Sequence, residues 1–406
     1  MPSLVWSTKA LPKLQQPTEL TLQAVIYPQG IGYPEAQPES ALYLGDNLSI
    51  MAALLEQFEG RLDLIYADPP FFTNRQYAAR IGRGEDSRRP AEWQLAEGYA
   101  DHWDSLDAYL EFLYPRLILM HRLLAPHGTL YLHLDWHANS YARILLDEIF
   151  GRKNFVNEII WVYHGPSAIR RAFNRKHDTI LMYTKGPDYL FNTDAVRQAY
   201  DPSTIKTFAS SPRAGFGKVP DLARGKVPED WWYFPVVARL HRERTGYPTQ
   251  KPEALLERIL LASSSPGGWV ADFFCGSGTF PLVAARHGRR FLAGDASWRA
   301  VHTTRRRLVE AGVRPFALYA SRAMYASGES PSLTYDYLPG EKRVFLHPPL
   351  PELDYWEVDP AWDGRLFRSV AQAWRPWRSP QIPTELTLPV EATNIRLQAV
   401  PVRDAS

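Results

Sequence analysis

A carboxylate and two prolines stand together early in the chain, where they could hold a planar amino group. Asp68-Pro69-Pro70-Phe71 follows the apolar run Leu62–Ala67, which predicts a buried strand. Proline has no amide hydrogen, so the Asp68 side chain and the proline carbonyls remain free to accept hydrogen bonds. A flat amino group with two N–H donors is a natural partner, and Phe71 offers a ring on which a planar base can stack. Taken alone, the Pro-Pro pair is equally consistent with a simple strand end.

A glycine turn far downstream indicates a nucleoside-type cofactor. Residues 269–274 predict another buried strand, and Cys275-Gly276-Ser277-Gly278 leads from it into a predicted helix over residues 281–287. Such a turn lets the backbone approach a ligand closely and directs helix N-terminal amides at it. Asp295 ends the next predicted strand about 20 residues further on, where a carboxylate would reach ribose hydroxyls. A plain tight turn is the alternative interpretation.

Together these motifs are similar to those of a known enzyme family. The runs at 68–71 and 274–278, with Gly-Tyr-Pro-Thr-Gln-Lys-Pro at 246–252, resemble the β-group of amino-directed DNA methyltransferases. Those enzymes modify N6 of adenine or N4 of cytosine with S-adenosylmethionine. The catalytic motif precedes the cofactor loop here, which resembles the circular permutation of that group. Residues 128–135, 147–151 and 154–156 also resemble the modification subunits of type III restriction systems, and the similarity spans roughly residues 41–310.

The resemblance implies a fold, a cofactor and a set of site residues. The implied fold is α/β, with a doubly wound, circularly permuted, Rossmann-like sheet that binds S-adenosyl-L-methionine, a DNA-recognition insertion and a small β-rich C-terminal appendage. The implied catalytic residues are Asp68, Pro69, Pro70 and Phe71. The implied cofactor-binding residues are Asp46, Ala67, Asp68, Thr249, Lys251, Asp272, Phe274, Cys275, Gly276, Ser277, Gly278, Thr279 and Asp295.

Two of these residues have alternative roles. Lys251 is expected to bind the cofactor's carboxylate, with Thr249 and Ser277 as supporting hydrogen-bond donors, although a lysine there could also merely precede a helix that begins after Pro252. Asp46 lies where related enzymes present an acidic residue to the cofactor, and an aspartate after glycine is also an ordinary helix cap.

The expected reaction is direct transfer of a methyl group to the exocyclic amino group of a flipped base. Hydrogen bonds from its two N–H groups to Asp68 and to the Pro69 carbonyl would localise the nitrogen lone pair, while Phe71 or Tyr66 holds the base. In the family, aspartate at the first position of the tetrapeptide accompanies adenine more often than cytosine. The prediction is therefore N6 of adenine in duplex DNA. The alternatives are N4 of cytosine, an RNA amino group, and a DNA-binding relative without activity.

The distribution of charge indicates which residues contact DNA. The net charge of the 406 residues is only +2, so contact with DNA must depend on local charge. The candidate DNA-binding residues are Arg80, Arg83, Arg170, Arg171, Arg175 and Lys176, with solvated loops as the alternative. Duplex DNA is the expected partner, and a cognate restriction endonuclease and a homodimer stay open.

Composition excludes several other classes. The single cysteine, Cys275, rules out an internal disulfide and disfavours attack on carbon 5 of cytosine. No His-Glu-x-x-His spacing occurs, so no metal is expected. Because the sequence has neither an apolar run of membrane length nor a charged, apolar leader, the expectation is a cytoplasmic protein that does not enter a membrane.

Strands and helices alternate around the motifs. Predicted strands at 41–44, 62–67 and 130–134, predicted helices between them, and a hairpin at 155–183 form the catalytic half. The predicted divisions are an N-terminal arm (1–40), a catalytic half (41–185), a target-recognition region (186–245), a cofactor-binding half (246–319) and a β-rich C-terminal appendage (320–406). Residues 73–101 are polar and arginine-rich and show no strand or helix pattern, which predicts a loop that closes over the site.

Overall fold

The computed structural model describes residues 3–10, 18–81, 94–165, 169–210, 220–238, 241–321, 333–348, 353–376 and 381–401, and gives the backbone alone at 79–81 and 94–97. Of the predicted DNA-binding residues, Arg83 lies outside these ranges and Arg80 is described by its backbone only. Within the described ranges, no helix has the length and apolar character needed to cross a membrane.

Strands and helices are numbered here in chain order. The strands of the described ranges are β1 (Leu20–Ile26), β2 (Ser40–Leu44), β3 (Leu62–Ala67), β4 (Arg75–Ile81), β5 (Gln94–Asp101), β6 (Leu124–Leu134), β7 (Phe155–Val162), β8 (His177–Thr184), β9 (Trp231–Tyr233), β10 (Trp269–Asp272), β11 (Arg290–Asp295), β12 (Phe316–Ser321), β13 (Tyr335–Leu338), β14 (Arg343–Leu346), β15 (Leu353–Asp359), β16 (Phe367–Ser369), β17 (Ala371–Trp374), β18 (Glu385–Thr387) and β19 (Arg396–Pro401). The α-helices are α1 (Asn47–Phe58), α2 (Leu106–Leu123), α3 (Asn139–Leu146), α4 (Pro202–Ser210), α5 (Glu253–Ser263), α6 (Thr279–Arg286) and α7 (Trp298–Glu310).

One large mixed sheet organises the molecule. Its order is β16-β1-β12-β2-β11-β10-β3-β6-β8-β7-β9, and the six strands from β12 to β6 run parallel to one another. From β3 the chain proceeds to β6 on one side, and from β10 it proceeds to β11 on the other. The carboxyl ends of β3 and β10 therefore meet at the switch point of a doubly wound sheet, where such folds bind their ligands. The predicted α/β fold is confirmed.

Apolar layers cover both faces of the sheet. In β3, Ile65 and Ala67 pack with residues of α1, α2 and α3, whereas Leu64 and Tyr66 pack with residues of α5, α6 and α7. Successive side chains of a strand point to opposite faces, so a strand that is covered on both faces must be apolar at nearly every position. This explains why β3 is apolar from Leu64 to Ala67, while Asp63, near its start, is only partly buried.

The prediction of a structureless loop at 73–101 is wrong in the part that the structure describes. Strands β4 and β5 form an antiparallel hairpin in which Tyr77 pairs with Tyr99, and the two rings stack with centroids 4.9 Å apart. Two strands held by such cross-strand contacts need no long alternation of apolar residues, so the sequence pattern did not reveal them. Residues 82–93 lie outside the described ranges.

The two ends of the chain also contribute to the sheets. Strand β1, in the segment predicted as an arm, pairs with β12 and with β16 in the main sheet. Strand β12 crosses the division predicted between residues 319 and 320. Beyond it, the C-terminal residues form two small antiparallel sheets, β13-β14-β18 and β17-β15-β19, so a β-rich C-terminal segment is confirmed.

Candidate active site

A cavity of about 720 Å³ opens at the switch point between β3 and β10. Asp68, which follows β3, and Gly276, which follows β10, both line it. Most of the predicted site residues line the same cavity: Asp46, Asp68, Pro69, Pro70, Phe71, Thr249, Lys251, Asp272, Phe274, Cys275, Gly276, Ser277, Thr279 and Asp295. Ala67 is fully buried at the end of β3, and it does not belong to the lining residues. The sheet thus brings together motifs that are about half the chain apart.

Asp101 holds the backbone that follows the two prolines. Its buried carboxylate accepts hydrogen bonds from the amides of Phe71, Phe72 and Thr73 at 2.8–3.2 Å. It also accepts one from the indole of Trp103 at 2.8 Å. These donors satisfy most of the carboxylate's acceptor capacity, so the chain after Pro70 is fixed. No sequence motif pointed to Asp101, because its partners are backbone amides some thirty residues earlier in the chain.

Asp68 is held by Lys251. The ammonium of Lys251 lies 2.5 Å from Oδ2 of Asp68 and 5.4 Å from the centre of the Phe71 ring, and this lysine is only 7% exposed. The other oxygen of Asp68, Oδ1, is buried and has no hydrogen-bond partner in the described residues. An unpaired buried carboxylate oxygen is unfavourable unless a ligand supplies a donor. The role predicted for Lys251, binding the cofactor's carboxylate, stays a prediction.

The glycine turn after β10 is fixed from behind by α7. Gly278 has a φ of 74° and its Cα faces Thr304 so closely that a Cβ would lie 2.8 Å from the Thr304 Cα. The guanidinium of Arg307 donates hydrogen bonds to the Ser277 carbonyl and to the Thr279 hydroxyl, each at 2.9 Å. Thr279 in turn donates to the backbone carbonyl of Lys251 at 3.1 Å. The turn and the lysine segment therefore form one unit.

Buried carboxylates give the cavity an acidic interior. Asp295 accepts hydrogen bonds from the amides of Gly276 and Ser297 at 3.0 and 2.9 Å, yet burial raises the pKa of its carboxyl to about 6. Burial also raises the pKa of Asp272 well above its ordinary value, with the nearby charge of Asp68 adding to the effect. Several carboxylates around one cavity favour a ligand that carries positive charge.

Three other predicted cofactor residues have local partners. Asp46 caps α1 by accepting from the Ser49 amide at 3.1 Å and pairs with Arg116 at 2.6 Å, so the helix-cap alternative describes its contacts. The Thr249 hydroxyl lies 3.2 Å from the hydroxyl of Tyr99 on the hairpin. Burial raises the pKa of the Cys275 thiol, which leaves it a small, neutral, packed group.

A chain of buried polar side chains lies behind Phe71, and among its members the sequence predicts a role only for Tyr66. The hydroxyl of Tyr66 lies 2.8 Å from Nδ1 of His133, and Nε2 of that histidine lies 3.2 Å from Asp178. Tyr163 donates to the second oxygen of Asp178 at 3.0 Å. The Phe71 ring stacks on the His133 ring with centroids 5.7 Å apart. Because a carboxylate only accepts hydrogen bonds, Nε2 of His133 is the donor to Asp178.

Asp178 is kept ionised by its neighbours. Burial alone would raise its pKa, but the hydrogen bond from His133 and the charge of Lys251 lower the pKa of Asp178 below its ordinary value. The only sequence signal for this residue is an acidic side chain next to an apolar run at the start of β8. The described residues contain no group of three His, Cys, Asp or Glu side chains that could hold a metal ion.

The described basic residues of the predicted DNA contact lie beside the cavity. Arg170, Arg171 and Arg175 are exposed in the segment between β7 and β8, and Lys176 is half-buried there. The Arg175 guanidinium stacks over the ring of Trp136 at 4.1 Å. None of these four residues lines the cavity itself.

Comparisons of the sequence with known proteins indicate the family of the chain. A family model described as DNA methylase, for N6 and N4 methyltransferases, matches residues 62–306. The chain is 32% identical over 257 residues to the type II methyltransferase M.HpaI of Haemophilus parainfluenzae, a match that covers 63% of this chain and 71% of that protein. It is 32% identical over 255 residues to the DNA adenine methyltransferase YhdJ of Escherichia coli K12, covering 61% and 76%. A crystal structure of an M1.HpyAVI–SAM complex matches with a TM-score of 0.43 and 20% identity, over 66% of this chain and 98% of that one.

Proposed function

The chain belongs to the DNA methylase family of N6 and N4 methyltransferases, and from that premise we propose that it methylates N6 of adenine in duplex DNA. The methyl donor is S-adenosyl-L-methionine, and the target base leaves the duplex before transfer. The observation that carries this proposal is the contact between Lys251 and Asp68, 183 residues apart. This contact joins the tetrapeptide and the glycine-turn half of the chain in one cavity.

The cavity suits the cofactor by charge and by shape. S-adenosyl-L-methionine supplies an activated methyl group on a positively charged sulfonium, together with an amino-acid end and a ribose. Asp68, Asp272 and Asp295 line the cavity, and each of these carboxyl groups favours a cation when it is ionised. Asp295 lies at the end of β11, where a carboxylate can accept from ribose hydroxyls. The proposed partner of the cofactor's carboxylate is Lys251, whose ammonium pairs with Asp68 in the same cavity.

Asp68 and Pro69 are the groups that hold the target amino nitrogen. Oδ1 of Asp68 lacks a donor in the described residues, so an N–H of the base can supply it. The carbonyl of Pro70 already accepts from the hydroxyl of Tyr109 at 2.9 Å, which leaves the Pro69 carbonyl for the second N–H. With both hydrogens engaged, the nitrogen lone pair is localised and aimed at the methyl group.

Aromatic rings provide a place for the flipped base. Phe71, Tyr66, Trp161 and Tyr163 all line the cavity near Asp68, and the His133 ring supports Phe71 from behind. Aromatic faces stack on a flipped base without requiring a particular sequence around it. The recognition sequence depends on other residues, and the region 186–245 stays the predicted location.

Adenine is the preferred base for two reasons. The tetrapeptide begins with aspartate, and the similar protein YhdJ is named a DNA adenine methyltransferase. N4 of cytosine is the second candidate, because the family includes both amino groups. Incubating the protein with duplex DNA and the cofactor, digesting the DNA to nucleosides and identifying the modified one by mass spectrometry separates them. N4-methylcytosine in place of N6-methyladenine would refute the adenine proposal and leave the direct-transfer mechanism standing.

The role of Asp68 is tested by substitution. Asp68→Ala should lower the rate of methyl transfer about a hundredfold or more, while cofactor binding measured by calorimetry stays largely intact. Asp63→Ala is the matched control, because Asp63 lies at the opposite end of β3 and pairs with His127 at 2.9 Å. A transfer rate close to that of the unmodified protein in Asp68→Ala would show that another group holds the base.

Partners beyond DNA stay predictions. A cognate restriction endonuclease and a homodimer were left open by the sequence, and the contacts of a single chain do not test them. Sedimentation of the purified protein, with and without duplex DNA, would show whether it forms a homodimer.

A further inference from the structure

Phe173 is the most exposed large apolar side chain among the described residues. Its side chain is 98% exposed, and it lies in a basic segment that includes Arg170, Arg171 and Arg175. A single exposed apolar residue is common on protein surfaces and needs no explanation by itself. The exposure of Phe173 is of interest because its loop borders the active site.

Phe173 lies in the loop between β7 and β8, and both ends of this loop border the active-site cavity. Strands β7 and β8 pair up to Val162 and His177, and the amide of Tyr163 donates to the Lys176 carbonyl at 3.0 Å. Tyr163 and Asp178, one at each base of this segment, line the cavity. The loop lies at the same end of the sheet as Asp68, because β6 runs parallel to β3 and β8 runs antiparallel to β6. Phe173 therefore lies in a loop whose two ends border the cavity.

The surroundings of Phe173 are complementary to a DNA backbone. Arg170 and Arg171 are exposed, and Arg175 stacks on Trp136, which is itself 51% exposed. None of the three arginines has a carboxylate partner within the described ranges. Guanidinium groups of this kind contact phosphates. A ring between such contacts would be brought against the stacked bases.

We infer that Phe173 enters the duplex and occupies the space that the flipped base leaves. Removing a base from the stack costs unpairing and unstacking energy, and an apolar side chain between base steps offsets part of that cost. This inference rests on the proposed function and deepens it, because it assigns a residue to the flipping step. Phe173 does not contact the reacting atoms, so it acts as a positioning residue.

The first test compares two duplexes that differ only opposite the target base. One pairs the target normally, and the other places an abasic site opposite it, so that the target leaves the stack easily. Phe173→Ala should lower kcat/KM on the paired duplex about tenfold or more and should recover most of the rate on the abasic one. Phe173→Trp should keep the rate on both. Val5→Ala is the control, because Val5 is 86% exposed and its neighbours bond to Glu111 and Glu148, away from the cavity.

A binding measurement separates this inference from the methylation proposal. The unmodified protein should bind a duplex with one missing base more tightly than an intact duplex, and Phe173→Ala should lose that preference in fluorescence anisotropy. If the unmodified protein methylates no DNA, the proposed function is refuted. If Phe173→Ala nevertheless loses the preference for the duplex with a missing base, the role of Phe173 is supported. Equal loss of rate on the paired and abasic duplexes, or an unchanged preference in Phe173→Ala, would overturn the inference.

Discussion

At the scale of single residues, Lys251 pairs with Asp68, the carboxylate predicted to hold the base, and is itself predicted to bind the cofactor. Its ammonium pairs with Asp68 and also donates to the Thr249 carbonyl at 3.3 Å. A cation in this position neutralises Asp68 and stays close enough to bind a second carboxylate. The geometry thus extends the role predicted from the motif, in which Lys251 contacts the cofactor alone.

Lys251→Met should weaken both functions, because it keeps the apolar stem and removes the charge. If Lys251 binds the cofactor's carboxylate, the cofactor's binding free energy should fall by roughly 1.5–3 kcal/mol, the contribution of a hydrogen bond to a charged group. The single-turnover rate at saturating cofactor should also fall, because Asp68 loses its partner. Calorimetry measures the first effect and rapid quench the second. An unchanged affinity would place the cofactor's carboxylate elsewhere in the cavity.

If Asp295 binds the ribose of the cofactor, as predicted, cofactor binding should depend on pH. Burial raises the pKa of its carboxyl to about 6, and only the ionised form accepts hydrogen bonds from both ribose hydroxyls. The ionised fraction increases as pH rises through 6, so cofactor affinity should increase roughly tenfold between pH 5 and pH 7. Asp295→Asn should bind more weakly and lose most of this dependence. An equally steep dependence in Asp295→Asn would assign it to another group, such as Asp272.

The sequence identifies site residues that follow a strand and carry a motif. Asp68, Gly276 and Asp295 were predicted because each lies at the carboxyl end of an apolar run, and the ends of parallel strands meet at one edge of a sheet. Asp101 and His133 were not assigned a role. Their function depends on partners that are distant in sequence, and spacing contains no information on such contacts.

At the scale of elements, the glycine turn depends on the fit of α6 against α7. Gly278 occupies the left-handed region, and Thr304 of α7 fills the space where a side chain would be. Gly288, at the other end of α6, has a similar φ of 71° but no atom within 4 Å of an added Cβ. A side chain at either glycine would strain the backbone, but only at Gly278 would it also collide with a neighbouring helix.

Gly278→Ala should be more destabilising than Gly288→Ala. Both variants carry the cost of a left-handed alanine, and only the first also forces α7 away from the turn, which overpacking data place at about 1–3 kcal/mol. Chemical denaturation measures the free energy of unfolding, and calorimetry measures the cofactor affinity, which should fall only in Gly278→Ala. Equal effects of the two substitutions on both quantities would mean that α7 does not hold the turn.

The elements that sequence patterns revealed are those buried by the main sheet. Strands β2 and β3 begin and end within one residue of the predicted positions 41–44 and 62–67, because both-sided burial imposes apolar runs. The hairpin β4–β5 and the entry of β1 into the sheet were not predicted. Their stability comes from Tyr77 against Tyr99 and from pairing with β12, about 290 residues away along the chain.

At the scale of the whole molecule, α7 connects the C-terminal sheets to the glycine turn. One of its faces bonds to the turn through Thr304 and Arg307. The other face is buried against β15 and β17, where His302 lies 2.9 Å from Asp354 and Arg305 donates to Glu357 at 3.2 Å. The C-terminal sheets are therefore positioned to stabilise the active site without lining it.

Asp354 is the residue on which this connection can be tested. Burial alone would raise its pKa, but the bond from His302 and the charges of Arg306 and Arg375 outweigh burial and lower the pKa of Asp354 well below its ordinary value. Asp354→Asn leaves those cations without a counter-charge, which for a buried pair costs about 3–5 kcal/mol of unfolding free energy. Asp363→Asn is the control, because it removes an exposed carboxylate from the same part of the chain and should change stability little.

If α7 transmits this loss to the turn, Asp354→Asn should also weaken cofactor binding at a temperature where the protein remains folded. Calorimetry of both variants, below the onset of unfolding measured by circular dichroism, decides the point. A less stable Asp354→Asn protein with unchanged cofactor affinity would mean that the C-terminal sheets support the fold independently of the site. Weakened binding confined to Asp354→Asn would mean that α7 has to be held on both faces for the glycine turn to keep its shape.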